Sequence, residues 1–105
     1  MRITKEKVLK KLKNVIDPEL HLNIVDLGFI YVIEFPRKDS VRVKMTMTSP
    51  ACPLAPYFEE EVPAVIKKIK GVKSAKVEFV FKPPWTRDKI SESAKEELRM
   101  RGVPI

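Results

Sequence analysis

The strongest constraint on the fold is an abrupt change of hydrophobic period near residue 50. Apolar and polar residues alternate over Val41–Thr48, as is typical of a half-buried strand, whereas apolar residues recur at helical spacing over Leu54–Lys70. The stretch Ser49–Pro53 between them contains two prolines, each of which fixes its own φ and removes a backbone donor. The pattern therefore predicts a strand that runs through a stiff corner directly into a helix.

This corner holds the single cysteine of the chain, Cys52. Pro53 restricts Cys52 to extended conformations, which suits the residue just before a helix. The thiol would then lie beside the free N–H groups and the positive dipole end of that helix, where the pKa of a cysteine falls and thiolate is favoured. We therefore predict one activated sulfur on a rigid corner.

The length and composition predict one soluble cytoplasmic domain over residues 1–105. A chain of 105 residues has the size of one ordinary domain. No apolar run approaches the ~20 residues of a membrane span, and the first residues lack the apolar segment of a signal peptide. A lone cysteine rules out a disulfide within the chain and suits a reducing compartment.

The formal net charge of +7 has a plain explanation. Its densest basic groups, Lys10-Lys11-Lys13 and Lys67-Lys68-Lys70, fall on predicted amphipathic helices. Solvated helix faces account for most of this charge. A basic surface would also attract an acidic partner or nucleic acid.

The hydrophobic pattern predicts the element order αββαβα. The expected strands are Phe29–Phe35, Val41–Thr48 and Val72–Phe81; the expected helices run from the N-cap Thr4 to Asp17-Pro18, over Leu54–Lys70, and from about Arg87 to Gly102. This order predicts an α+β two-layer domain, an α/β sandwich with a small mixed three-stranded sheet under helices.

The strands carry finer predictions about which side chains share a face. In the first strand, Phe29, Tyr31, Ile33 and Phe35 should share one face. In the second strand, Thr46 and Thr48 should point towards the less covered side of the sheet.

The second helix contains residues that should disturb it. Pro56 should loosen its first turn, and Pro63 should kink or divide it. Gly71 should cap its end.

Three ordered stretches resemble the signatures of one known family and together span most of the chain. They are Asp17-Pro18-Glu19-Leu20 with Asn23-Ile24-Val25-Asp26-Leu27-Gly28; the T-x-T-x-x-x-C-P stretch Thr46–Leu54; and Pro83-Pro84-Trp85-Thr86 with Ile90-Ser91 and Ala94. The chain thus resembles the iron–sulfur cluster assembly family once called a domain of unknown function. That family includes SufT-like maturation factors, PaaD-type proteins of phenylacetate oxidation and a eukaryotic cytosolic iron–sulfur targeting factor.

The resemblance implies a fold and a function. The fold would be similar to the C-terminal domain of NifU-type scaffolds. The function would be iron–sulfur cluster assembly, by an adaptor or transient carrier rather than an enzyme, with scaffold or carrier proteins and apo-protein clients as partners. PaaD proteins carry a cysteine-rich, zinc-binding C-terminal extension, whereas this sequence ends at Ile105, so a general maturation role is expected.

The resemblance also implies which residues act. Cys52 would be the functional thiol, surrounded by the polar residues Asp17, Glu19, Asp26, Thr46 and Thr48. A cluster usually takes four thiolate-type ligands, and this chain supplies one. Any cluster would therefore be labile and shared between chains, in a homodimer or with a partner's or a small thiol, and the monomer alone would hold none.

Other interpretations remain open from the residues themselves. A thiol-dependent enzyme would need a base such as His21, the only histidine. A KH-like nucleic-acid-binding module fits the element order and the charge, but the G-x-x-G loop is absent. Cys52 could be a buried structural cysteine, the aspartates turn caps, and the threonines ordinary strand residues.

Overall fold

The computed structural model describes residues 3–48 and 53–102 and confirms the predicted order of elements. The elements are α1 (Lys5–Leu12), β1 (Ile30–Glu34), β2 (Ser40–Met45), α2 (Ala55–Ile66), β3 (Ser74–Phe79), a short 3₁₀ turn (Arg87–Lys89) and α3 (Glu92–Met100). The sheet has the order β1-β2-β3, with β1 antiparallel and β3 parallel to β2. Because parallel neighbours need a crossover, α2 connects β2 to β3. Within the described residues no helix is long and apolar enough to cross a membrane.

The core lies between the helices and one face of the sheet. Alternation along β2 buries Val41, Val43 and Met45, as the sequence predicts. The helices contribute apolar stripes at helical spacing: Val8 and Leu12 from α1, Phe58, Val62, Val65 and Ile66 from α2, and Ala94 and Leu98 from α3.

The first helix begins where the sequence predicts and ends earlier. Thr4 is its N-cap and accepts a hydrogen bond from the Lys7 N–H at 3.3 Å. The helix stops at Leu12, so the prediction of helix up to Asp17-Pro18 was wrong. Ile16 instead forms a single antiparallel bridge with Asn23. This bridge uses backbone groups that a longer helix would need for its own hydrogen bonds.

The prolines of α2 do not divide it. Pro56 lies in the first turn, where its missing N–H has no helical partner, so it does not loosen the turn. Pro63 lies inside one continuous helix and neither divides nor ends it at that point. The carbonyl that Pro63 leaves unpaired belongs to Glu59, which is exposed and can be hydrated.

The end of α2 also differs from the prediction. The helix ends at Ile66 with Lys67 as its C-cap, so Gly71 is not its cap. Gly71 instead takes a positive φ of 97° in the turn that follows. The basic group Lys67-Lys68-Lys70 therefore lies at and beyond the helix end.

The first strand is shorter and less regular than predicted. It ends at Glu34, and its pairing with β2 shifts register between Ile30 and Val32. Phe29 and Ile33 are buried, but Phe35 follows the strand end and is 38% exposed, so its predicted inward position was wrong. A bulge of this kind breaks the strict alternation from which the prediction was made.

The C-terminal segment packs back on the loop before β1. Trp85 contacts Phe29 edge to face with ring centroids 5.6 Å apart, and its Nε1 donates to the Leu27 carbonyl at 2.7 Å. Ser91 caps α3 by accepting from the Ala94 N–H at 3.2 Å, and Gly102 follows the helix with a φ of 86°. The expected stop of the last helix at Gly102 is confirmed, whereas the helix starts at Glu92, after the short 3₁₀ turn, and not at about Arg87 as predicted.

Candidate functional site

The thiol corner joins two well-defined elements. Cys52 lies outside the described residues, and so do Ser49, Pro50 and Ala51. On one side of this gap β2 ends at Met45 and the chain runs on through Thr46 and Met47 to the exposed Thr48; on the other side α2 begins at Ala55. The predicted corner itself lies outside the described residues.

The start of α2 has no side-chain cap among the described residues. Its N-cap, Leu54, makes no side-chain cap hydrogen bond, and its first turn contains no acidic residue. The N–H groups of that turn therefore gain no acceptor from the cap side chain. An anion close to this turn would be stabilised, which is the condition that the predicted thiolate requires.

Asp17 is the buried carboxylate of the candidate site, with a residue exposure of 4%. Its Oδ1 accepts from the Glu19 N–H at 2.8 Å and from the Leu20 N–H at 2.9 Å, as predicted for a turn opened by Pro18. One carboxylate oxygen thus holds the turn.

Tyr57 is a site residue that the sequence reasoning missed. It lies in the first turn of α2, is 37% exposed, and its hydroxyl donates to the Ile16 carbonyl at 3.0 Å. Burial raises the pKa of Tyr57 above the ordinary 10.0, and the carboxylates of Glu61 and Asp17 raise it further. Asp17 and Tyr57 are therefore neighbours at the start of α2. One feature of the sequence could have indicated Tyr57 as a site residue: it stands one helical turn before Glu61 and close to the thiol corner.

This neighbourhood predicts a titration at high pH. Because the folded-state pKa of Tyr57 lies above its unfolded value, its stabilising contribution is complete below pH 10.0 and is lost as the pH rises through the folded pKa. Ultraviolet titration of phenolate should show a step above pH 10.0 that Tyr57→Phe removes and Tyr31→Phe retains. Glu61→Gln should move the step downwards. A Tyr57 step at or below pH 10.0 would contradict the assigned contacts.

Asp26 has a structural role at another part of the loop. Its Oδ2 accepts from Asn23 Nδ2 at 2.8 Å, and its N–H donates to Asn23 Oδ1 at 2.9 Å. Its carbonyl accepts from the Ser91 N–H at 2.8 Å. Asp26 therefore fastens the loop to the N-cap of α3.

The two threonines differ in their surroundings. Thr46 is wholly buried, so the prediction that it faces the less covered side of the sheet was wrong, whereas Thr48 is exposed. The Thr46 N–H donates to the Phe29 carbonyl at 2.8 Å, and the neighbouring Met45 carbonyl accepts from the Val80 N–H at 2.8 Å. Thr46 lies just beyond the end of β2, and these backbone hydrogen bonds place the chain before β1 on one side of it and the chain after β3 on the other. Its hydroxyl donates to the Met47 carbonyl at 3.4 Å.

The structure therefore divides the predicted set. Within residues 3–48 and 53–102, no hydrogen bond or ion pair between two side chains joins Asp17, Glu19, Asp26, Thr46 and Thr48 to one another. Glu19 is exposed and contributes its N–H to the Asp17 turn. No group of three or more His, Cys, Asp or Glu that could hold a metal occurs in the described part of the chain.

His21 lies on the turn that follows Asp17. It is exposed and has a positive φ of 57°, and its carbonyl accepts from the Arg101 guanidinium at 3.4 Å. Its N–H donates to the Asp17 carbonyl at 2.8 Å. These contacts give His21 a backbone role in the turn.

Comparison with known proteins identifies the family. The sequence matches the family described as "Iron-sulfur cluster assembly protein" over residues 5–79. It is 42% identical to the Fe-S protein maturation auxiliary factor YitW of Bacillus subtilis, over 90% of this chain and 92% of that protein. It is 40% identical to the Fe-S protein maturation auxiliary factor SufT of Staphylococcus aureus, over 80% of this chain and 96% of that protein.

A solved structure agrees with this match. A domain of unknown function from Bacillus anthracis superposes with a TM-score of 0.87 at 35% identity, covering 92% of each chain. Such a score over nearly the whole length covers every described element, not the sheet alone. The chain therefore belongs to the iron–sulfur cluster assembly protein family.

Proposed function

We propose that this protein is a maturation factor for iron–sulfur proteins and that Cys52 is its functional thiol. The observation that carries the proposal is the family match over residues 5–79, which includes the whole unit of β2, thiol corner and α2. The relatives over this length are maturation auxiliary factors by name. The proposed partners are scaffold or carrier proteins, which supply clusters, and apo-proteins, which receive them.

The start of α2 supports a role for the thiol. Cys52 precedes Ala55 by three residues, so the chain confines the two Cα atoms to within roughly 11 Å of each other. Asp17 and Tyr57 lie at this same end of the helix. The thiol would thus have a helix end without a side-chain cap, a buried carboxylate and a phenol as its surroundings.

The cluster is the cargo of this function. One thiolate cannot satisfy a cluster, but two Cys52 thiolates from two chains would supply half of its ligands. A small thiol, a partner's cysteine, or carboxylate oxygen from Asp17 or Glu19 would complete the set. Oxygen is a weak donor to such a soft centre, so a cluster held in this way would be easily lost and hence easily transferred.

Reconstitution tests the carrier form of the proposal. Anaerobic incubation with iron, sulfide and a small thiol should give sulfur-to-iron charge-transfer absorbance and a dimer that carries the cluster in native mass spectrometry. The Cys52→Ser variant should remain monomeric and colourless, because it lacks the thiolate. If wild type forms no cluster with any thiol yet maturation still depends on Cys52, the protein is an adaptor and not a carrier.

A further inference from the structure

Two basic groups that are far apart in the sequence meet on one surface. An open groove of about 600 Å³ lies between the end of α1 and the turn after α2. We call it the lysine groove; it is lined by Lys7, Lys10, Lys11, Lys13, Asn14, Lys68, Ile69 and Lys70. Among the described residues, this lining comprises six lysines and no carboxylate.

The fold explains why these groups converge. Lys7, Lys10 and Lys11 lie on one face of α1, because positions separated by three and four residues are neighbours on a helix. On the other side of the groove, α2 ends at Ile66 and the chain turns. The lysines that follow therefore lie in this turn and not on a continuing helix. Ile69 is 8% exposed and anchors this turn in the core. The flanking Lys68 and Lys70 are thereby held beside α1.

Five of the six lysines of the groove form no ion pair with the described residues. Across residues 3–48 and 53–102, none of Lys10, Lys11, Lys13, Lys68 and Lys70 forms an ion pair, whereas Lys44, Lys95 and Arg101 do. Like charges at helical-neighbour spacing destabilise a helix slightly. Lys10 and Lys11 lie in the last turn of α1, where a cation favours the helix dipole, but the lysines of the groove together leave an attractive field for an anion.

We propose that the lysine groove docks an acidic segment of a partner protein. Charge complementarity favours an anionic occupant, and the buried Ile69 with the aliphatic stems of the lysines offers apolar contact to the side chains between the acids. Nucleic acid fits the lining less well. The described residues that line it include no aromatic side chain on which a base could stack and no arginine that could bind phosphate bidentately.

The α2 side of the groove lies away from the thiol corner. Lys68 and Lys70 follow the last turn of α2, whereas Tyr57 lies in its first turn, so roughly 14 Å of helix separates Tyr57 from this side of the groove. The proposal therefore does not depend on the role assigned to Cys52.

Peptide binding tests the proposal with matched charge variants. The probe is a short fluorescein-labelled polyglutamate peptide, measured by anisotropy at low and at physiological salt. The groove variant is Lys10→Gln/Lys11→Gln/Lys68→Gln, and the control Lys38→Gln/Lys76→Gln/Arg99→Gln removes the same charge from exposed positions elsewhere. We expect the Kd to rise about tenfold in the groove variant and less than about twofold in the control. Cys52→Ser should bind as wild type does.

Amide chemical shifts give an independent readout of where the peptide binds. On titration with the peptide, changes should concentrate on residues 7–14 and 67–70. An equal loss of affinity in both triple variants, or no binding at low salt, would overturn the proposal. Tighter binding of single-stranded polyuridylate than of the peptide, lost in the groove variant alone, would overturn it in favour of nucleic acid.

Discussion

Replacing Gly28 with alanine should remove a large part of the stability of this fold, about 4 kcal/mol. Gly28 has a φ of 76°, which L side chains rarely adopt. An added Cβ would also overlap the Lys89 carbonyl oxygen and lie 2.8 Å from its carbonyl carbon. The clash is with backbone, so no rotation of a side chain can relieve it.

Gly102 offers a matched control for the backbone conformation. Its φ is 86°, but a Cβ there would meet no heavy atom of the described residues within 4 Å. Gly102→Ala should therefore cost only the strain of a left-handed residue, about 1 kcal/mol. Urea unfolding of both variants measures the difference. Equal losses of stability would contradict the close packing of Gly28 on Lys89.

The contacts around Gly28 explain why adding one methyl group there should lower the stability of the whole fold. The loop from Asp26 to Gly28 contacts the C-terminal segment at three points: Asp26 binds the Ser91 N–H, Leu27 binds Trp85, and Gly28 packs on Lys89. A side chain at Gly28 would separate these two segments. Asp26, which the family resemblance places around the thiol, would lose its support at the same time.

The sequence predicted the order of elements because each carried its own local signal. The alternation of β2, the cap at Thr4 and the turn at Asp17-Pro18 are each set by side chains within a few residues. Sequence patterns report such local causes directly. The mixed sheet followed, because a strand that passes through a helix to the next strand favours parallel pairing.

The differences arose where distant segments decide the outcome. Ile16 leaves α1 to pair with Asn23, and Thr46 is enclosed by backbone from the β1 and β3 sides, although its position in β2 suggested exposure. Pro63 is tolerated within α2, where packing of the apolar stripe outweighs one missing hydrogen bond. These outcomes depend on tertiary contacts that no local pattern contains.

The candidate site was predictable in chemistry but not in arrangement. The motifs indicated Cys52 and Asp17 as site residues, and the predicted turn at Asp17 is confirmed. Tyr57 was missed because its role comes from contacts with Ile16 and Asp17, about forty residues earlier in the chain. The lysine groove was missed for the same reason, since each basic group alone has the pattern of a solvated helix face.

Cys52→Ser should abolish iron–sulfur maturation while leaving the fold close to wild type. Serine replaces sulfur by oxygen at nearly equal size, so packing changes little, whereas the soft thiolate that binds or presents a cluster is lost. The melting temperature should therefore stay within a few degrees of wild type. A large fall in melting temperature would instead identify Cys52 as a structural core residue.

Maturation in cells tests the central claim most directly. The host is a Bacillus subtilis strain that lacks YitW and expresses the wild-type chain, the Cys52→Ser variant, or neither. The measured quantity is the activity of an iron–sulfur enzyme divided by the amount of that enzyme. The wild-type chain should restore the activity. Cys52→Ser, expressed at the same level, should give no more enzyme activity than the strain that expresses neither chain. Restoration by Cys52→Ser equal to that by wild type would contradict the assignment of Cys52 as the functional thiol.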